Sequence, residues 1–248
     1  HVQKLFGNRD LNGLVGELVC GDVYAEDVFR QTTTATMAED GVNDVKLYVF
    51  DDWSVGDKPY QERYQHYQRR IKALNHGSII ALEHNMLHTI DEVITALDKE
   101  QKRNGEGIIL RLPSAKWKNG RSTPKSQESV KLKFFEQQEY KIVDVVERMH
   151  NANEATINEL GYTERSSHKD NMIPMNTFGA FVMELQDGRN FNVGSGLGLT
   201  DAVRKEIWNN RDKYIGKIAT VRQMKVGSKN GIPRLPTFVG LRDKDDMS

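Results

Sequence analysis

The chain has 248 residues, 38% hydrophobic and 28% charged, enough for one large or two modest domains with proper cores. No apolar run approaches the roughly 20 residues needed to span a bilayer, and no charged-then-apolar leader opens the chain, so neither a membrane protein nor a secretory precursor is expected. The 35 basic and 35 acidic residues cancel, so whole-chain charge lends no support to nucleic-acid binding, and the single cysteine, Cys20, fits a reducing, cytoplasmic compartment.

The opening HVQKLFGNRDLNG reads as a short amphipathic piece running into a strand. GLVGELVC and DVKLYVFDDW have the β-branched and aromatic enrichment of buried strands. YQERYQHYQRRIKALNHG places Tyr60, Tyr64, Tyr67, Ile71 and Leu74 at helical spacing, with Gly77 where a C-terminal cap belongs. TIDEVITALDKEQKRNGEG repeats that pattern, with Thr89 or Asp91 as N-cap and Gly105 closing it, and GIILRL returns to strand.

Past Phe135 the character changes. YKIVDVVERM, TFGAFVMEL, NFNVGSG, GKIATVRQMKV and PTFVGLRD are short strands separated by turn signals such as Asp187-Gly188 and Asn230-Gly231. With one helix among them, LTDAVRKEIWNNRDKYI, they predict a small barrel of the OB type. Gly194, Gly196 and Gly198 precede that helix and read as a strand-to-helix turn. NANEATINELGYTERSSHKDNMIPMN, between the first two strands, is too long for a hairpin turn, and long insertions in compact domains are usually functional or mobile. The expected division is 1–135 and 136–248, with the insertion at about 149–176.

Four groups of residues could carry chemistry. Glu17 and Glu106 each lie at a strand edge beside glycine; two such carboxylates suit a hard divalent metal, or are surface acids at strand ends. Lys131 and Lys133 in VKLKF point to one side of a strand, which costs energy unless an anion lies between them or the strand is an exposed edge. Arg234, Arg242 and Lys244 surround a last apolar strand, as a ligand clamp or as a charged tail. From Arg111 to Lys133, seven basic residues (Arg111, Lys116, Lys118, Arg121, Lys125, Lys131, Lys133) face only Glu128, which is a solvated loop or a phosphate-tracking surface. No zinc spacing, Ser-His-Asp set or phosphate loop is recognisable.

Taken in order, VGELV, YVFDDW, EGIILR, VKLKFF and PRLPTFVGLRDKDD resemble the motif series of covalent nucleotidyltransferases, specifically ATP-dependent DNA ligases of the compact bacteriophage and viral type. DVFRQTTTATM resembles the segment after their third motif. FNVGSGLGLTDAVRKEIWNNRDKYIGKIATV resembles their OB domain, and NELGYTERSSHKDN their DNA-contacting insertion. The resemblance covers essentially the whole chain. It implies an α+β fold, with an N-terminally incomplete nucleotidyltransferase domain followed by an OB barrel.

The resemblance also implies roles. Glu17 would belong to the adenylate and metal site, Phe50 would stack on adenine, and Glu106 would help hold the metal. Lys131 and Lys133 would contact the α-phosphate, while Arg242 and Lys244 would orient the leaving pyrophosphate. In the insertion Arg165, Ser166, His168 and Lys169 would meet the DNA backbone, and Lys116, Lys118 and Arg121 would extend that surface. The implied cofactors are ATP as AMP donor with Mg2+ or Mn2+. The implied partner is nicked duplex DNA, bound by a monomer in replication, repair or recombination.

One motif is missing. The family's Lys-x-Asp-Gly, whose lysine attacks ATP, does not occur; HKDN at His168 is the nearest string and lacks the glycine. In the family that motif precedes the third by a few tens of residues, and the chain opens inside that gap. A segment upstream of His1 is therefore expected to supply the lysine, and the chain alone is not expected to self-adenylate. Two other readings stay open: a DNA-binding module without the nucleophile, and an RNA ligase or capping-type nucleotidyltransferase. RLPTFVGLRDKDD argues against the RNA ligase.

Overall fold

The computed structural model describes residues 11–38, 44–123, 125–158, 161–229 and 231–242, with backbone alone at 225–229. The expected amphipathic opening as far as Asp10, Asn230 of the last turn signal, and Lys244 lie outside the described residues. The chain divides into two compact units, residues 1–134 with 225–229, and residues 135–224 with 230–248. Among the described residues no helix is long and apolar enough to cross a membrane.

The first unit runs β1 (Leu14–Cys20), α1 (Val28–Met37), β2 (Val45–Asp52), α2 (Tyr60–Leu74), β3 (Ile79–Ala81), α3 (Ile90–Lys102), β4 (Gly107–Arg111) and β5 (Ser129–Lys133). β2 lies between β1, antiparallel to it, and β3, parallel to it, while β4 and β5 form a separate antiparallel ribbon. Parallel neighbours need a crossover, and α2 provides it. Its apolar stripe buries Tyr67 and Ile71 against Val49 and Ile79.

Helix ends follow local chemistry, with one correction. α2 stops at Asn75 and not at Gly77: Asn75 takes the left-handed conformation (φ 45°) and its N–H bonds the Ile71 carbonyl at 3.2 Å. Asparagine tolerates that conformation because its short side chain can bond locally. α3 is N-capped by Thr89 in a full capping box with Glu92. At its other end the left-handed residue is Asn104 (φ 61°), and the Gly105 N–H reaches back to the Glu100 carbonyl at 2.8 Å. No element was expected over α1, whose three consecutive threonines are weak helix formers. Thr33 and Thr36 hydroxyls bond the backbone one turn back, and Thr32 Oγ1 accepts the Cys20 N–H at 2.9 Å, tying α1 to β1.

The second unit carries a five-stranded sheet of β6 (Phe135–Asn151), β9 (Met172–Glu184), β10 (Asn190–Val193), β11 (Ile218–Lys229) and β12 (Ile232–Leu241), ordered β10-β9-β6-β11-β12. α4 (Asp201–Asn209) follows β10, and β7 (Ala155–Ile157) with β8 (Thr163–Arg165) makes a hairpin inside the insertion. The architecture is α+β with an OB-like second unit, as expected. The sheet is not a closed ladder. Its outer strands meet through one parallel bridge, Gly196 to Phe238, with the Phe238 N–H on the Ser195 carbonyl at 2.8 Å. A Cβ on Gly196 would sit 2.6 Å from the Phe238 carbonyl, so this glycine serves close strand approach as well as the turn. Ile142, Phe178, Phe181, Met183, Val193, Ala219 and Val221 are fully buried between sheet and α4.

Candidate functional site

The site in the first unit starts from an irregularity. Val15 pairs with Asp51 and Gly16 with Val49, so Phe50 has no partner in β1 and forms a bulge in β2. Bulges re-aim side chains and recur beside active sites. Asp51 and Asp52 follow at once, both fully buried.

Two buried carboxylates need partners, because an unpaired charge away from water is very costly. Asp51 is held by Arg63, with Nε 2.8 Å from Oδ1 and Nη2 3.1 Å from Oδ2, and by Arg111 Nη1 at 2.5 Å. Asp52 takes Ser54 Oγ at 2.6 Å, Arg70 at 2.7 Å and His66 at 2.9 Å. Burial works to raise the Asp52 pKa, but the bonds from Ser54 and Arg70 outweigh it and hold the carboxyl below its ordinary range. The Arg111 guanidinium also lies 5.3 Å from the Phe50 ring centre and 4.9 Å from that of Tyr60.

The same network places a cationic loop. α2 begins after Pro59 without a side-chain cap, so its first N–H groups need acceptors. Tyr60 N–H bonds the Ala115 carbonyl at 2.8 Å, Gln61 N–H bonds that of Pro113 at 3.0 Å, and Arg63 Nη1 also reaches Ala115 at 2.9 Å. The loop leading to Lys116, Lys118 and Arg121 is thereby fastened to the helix start. Register supplies the opposite wall: Ile109 pairs with Lys131, Gly107 with Lys133 and Arg111 with Ser129, so Arg111, Lys131 and Lys133 share one face of the ribbon. A Cβ on Gly107 (φ 137°) would lie 1.9 Å from the Leu132 carbonyl, so only glycine fits there.

An open cavity of about 660 Å3 results, lined by Arg63, Arg111, Lys116, Lys118, Arg121 and Lys131 with Asp51, Tyr60 and Trp117 among them. Lys131 and the loop cations, assigned separate tasks by the resemblance, line one cavity. Lys133 instead pairs with Glu106 at 3.1 Å. Glu17 stands exposed on β1 opposite Tyr48. Among the described residues no group of three or more His, Cys, Asp or Glu side chains is gathered as a metal site.

In the second unit a polar hollow of about 500 Å3 is lined by Asn153, Glu154, Thr156, Ser166, His168, Asp170 and Asn171. Buried Asn153 fastens the insertion, its amide nitrogen donating to the carbonyls of Ser166 and His168, each at 2.9 Å. Arg165 donates to the Asn153 carbonyl, so part of its donor set serves the insertion's own backbone. Lys169 opens a short 3-10 turn. Arg242 pairs with Glu139 at 2.5 Å within this unit.

Asp51, Asp52, Tyr60, Arg63, His84 and Trp117 were not singled out from the sequence as site residues. A legible signal existed in the doubled acid that ends an apolar strand, since such acids require buried cations.

Residues 174–242 match the family model of the DNA ligase OB-like domain. A Lig E DNA ligase structure is similar over 94% of this chain and 80% of its own, at 19% identity and a TM-score of 0.65. The Pmar-Lig PreS3 structure covers 92% of this chain and 50% of its own, at 21% identity and a TM-score of 0.66. The Chlorella virus DNA ligase-adenylate structure covers 95% and 81%, at 24% identity, and its TM-score of 0.45 adds nothing to the fold argument. No curated protein matches the chain. At these identities the structural likeness establishes the fold.

Proposed function

We propose that this chain, whose second unit carries a DNA ligase OB-like domain and which shares the fold of DNA ligases over more than nine-tenths of its length, is the body of an ATP-dependent enzyme that seals nicks in duplex DNA. The observation that carries the reading is the convergence of Lys131 with Arg111, Lys116, Lys118 and Arg121 on one cavity. Six cations, Arg63 included, against two carboxylates, Asp51 and Glu128, suit a ligand rich in phosphate, and aromatic walls suit a base or sugar.

On this reading Phe50 is the adenine platform and Lys131 steadies the phosphate under attack, where fixed cations stabilise developing charge. Lys133 and Glu106 neutralise each other until a phosphate takes the lysine. Glu17, exposed on β1, and Glu106, half-buried beside Lys133, are hard-oxygen donors of the kind that would hold Mg2+ or Mn2+, which when bound would offset phosphate charge. Arg242 would exchange Glu139 for the leaving pyrophosphate, with Lys244 beside it in sequence. Ser166, His168 and Lys169, with whatever donors Arg165 retains, would meet the backbone of the duplex, as would Lys116, Lys118 and Arg121.

The 248 residues hold no Lys-x-Asp-Gly. The chain alone therefore lacks the first step, lysine adenylylation, and the second, transfer of AMP to the 5′-phosphate. The third step needs no enzyme nucleophile: the 3′-hydroxyl attacks the adenylated 5′-phosphate and AMP leaves. A nicked duplex already adenylated at its 5′-phosphate, supplied with Mg2+, should be sealed slowly by this chain, and Lys131→Ala should cut the rate about 100-fold without unfolding it. No sealing and no retention of the nicked duplex would sink the proposal. Joining of an adenylated RNA end in place of DNA would favour the RNA ligase.

A further inference from the structure

The bulge that frees Phe50 from β1 raises the question of what holds it. Its carbonyl accepts the Tyr60 hydroxyl at 3.0 Å, and Tyr60 is itself fixed by its backbone bond to Ala115 and by 93% burial. The same hydroxyl oxygen touches His84 Nδ1. A phenol has one proton, and a carbonyl can only accept. If Tyr60 donates to Phe50, His84 must donate from Nδ1 to Tyr60, which fixes its tautomer. The imidazole is not free to turn away. It stacks between Tyr60 and Tyr64, with centres 5.8 and 5.6 Å apart and planes within 27°, and meets the edge of Tyr67.

We propose that Tyr60 and His84 are positioning residues for an adenosine nucleotide: the relay from His84 Nδ1–H to Tyr60 and on to the Phe50 carbonyl holds the bulged residue so that its ring, backed by Arg111, faces the purine. This rests on the reading of Phe50 as the adenine platform. The surroundings support the relay. Burial and the positive charge of Arg111 lower the His84 pKa, keeping the ring neutral with a single N–H to aim. Burial pushes Tyr60 up to about 12, so its hydroxyl keeps the proton it must donate.

Calorimetric binding of AMP and of inorganic pyrophosphate to the 248-residue chain separates base positioning from phosphate capture. Tyr60→Phe should weaken AMP about five- to tenfold and leave pyrophosphate unchanged, since it removes one hydrogen bond beside the base. His84→Leu should match it, and His84→Gln, which keeps an N–H donor, should bind AMP within about twofold of the parent chain. The double variant Y60F/H84L should be no weaker than either single, because both remove the same relay. Unchanged AMP binding in Y60F, equal losses for both ligands, or additive losses in the double would each overturn the inference. Should Y60F not fold, the H84L and H84Q pair decides by the same comparison. Failure of the parent chain itself to bind AMP would overturn the adenosine reading and this inference together, and is distinguishable because the reference chain shows it.

Discussion

The two units bury different things. The second closes over an apolar core, with Phe178, Phe181, Met183 and Val193 fully buried, and among its described residues no charged side chain is fully buried. The first has a smaller apolar cluster around Val49, Tyr67, Ile71 and Ile79, and beside it buries Asp51, Asp52 and Arg63. Buried ion pairs are weak sources of stability, because desolvation consumes most of the Coulomb gain. Here they orient groups. Asp51 sets Arg111 and Arg63 between β2, α2 and the ribbon, and the cationic cavity opens where they meet. The second unit is a scaffold that presents loops; the first spends stability on a charged framework for a site.

That contrast is open to attack. The largest effects should come from its two anchors. Asp51→Ala leaves Arg63 buried and unpaired and should destabilise the first unit by about 3–5 kcal/mol. Phe181→Ala should remove a similar about 3–5 kcal/mol from the second. Hydrogen exchange resolved by unit should show each loss where its residue lies, and only Asp51→Ala should also abolish pyrophosphate binding. Unaltered protection of α2 in Asp51→Ala would mean the charge network does not organise the first unit.

A smaller effect should appear in acid. Asp52 sits below its ordinary value of 3.8 in the folded chain. Its contribution is therefore present above about pH 4 and lost as pH falls through the depressed folded value. Thermal unfolding between pH 3 and 6 should show an acid-sensitive loss in the first unit, which Asp52→Asn removes. The same acid slope in that variant would place the sensitivity elsewhere. The smallest effect is local: Thr89→Ala breaks the capping box and should cost about 1 kcal/mol, read as faster amide exchange in the first turn of α3 with the second unit unchanged.

Much was legible in order and pattern. Alternation and turn residues placed the OB strands, because a strand that buries one face must alternate, and Thr89, one of two N-cap candidates with Asp91, marked the start of α3. The ligase resemblance named Lys131, Lys133, Glu106 and Phe50, all of which fall in the first unit. What escaped were features whose partners lie far along the chain. Gly77 looked like the cap of α2, yet Asn75 took the left-handed turn where the helix happened to end. Asp51 and Arg111 are 60 residues apart and meet only through the fold.

By itself the sequence determined most of the elements, though not α1, β3 or the hairpin of β7 and β8, together with their order and the chemical types available, since propensity, periodicity and motif spacing are local properties. Tertiary structure alone decided that Phe50 bulges out of register, that Lys133 spends its charge on Glu106, and that Lys131 joins the loop cations around one cavity. Register between strands and the pairing of buried charges are settled by which segments pack together, and one residue's slip in β2 changes which side chain lies on which face of the sheet.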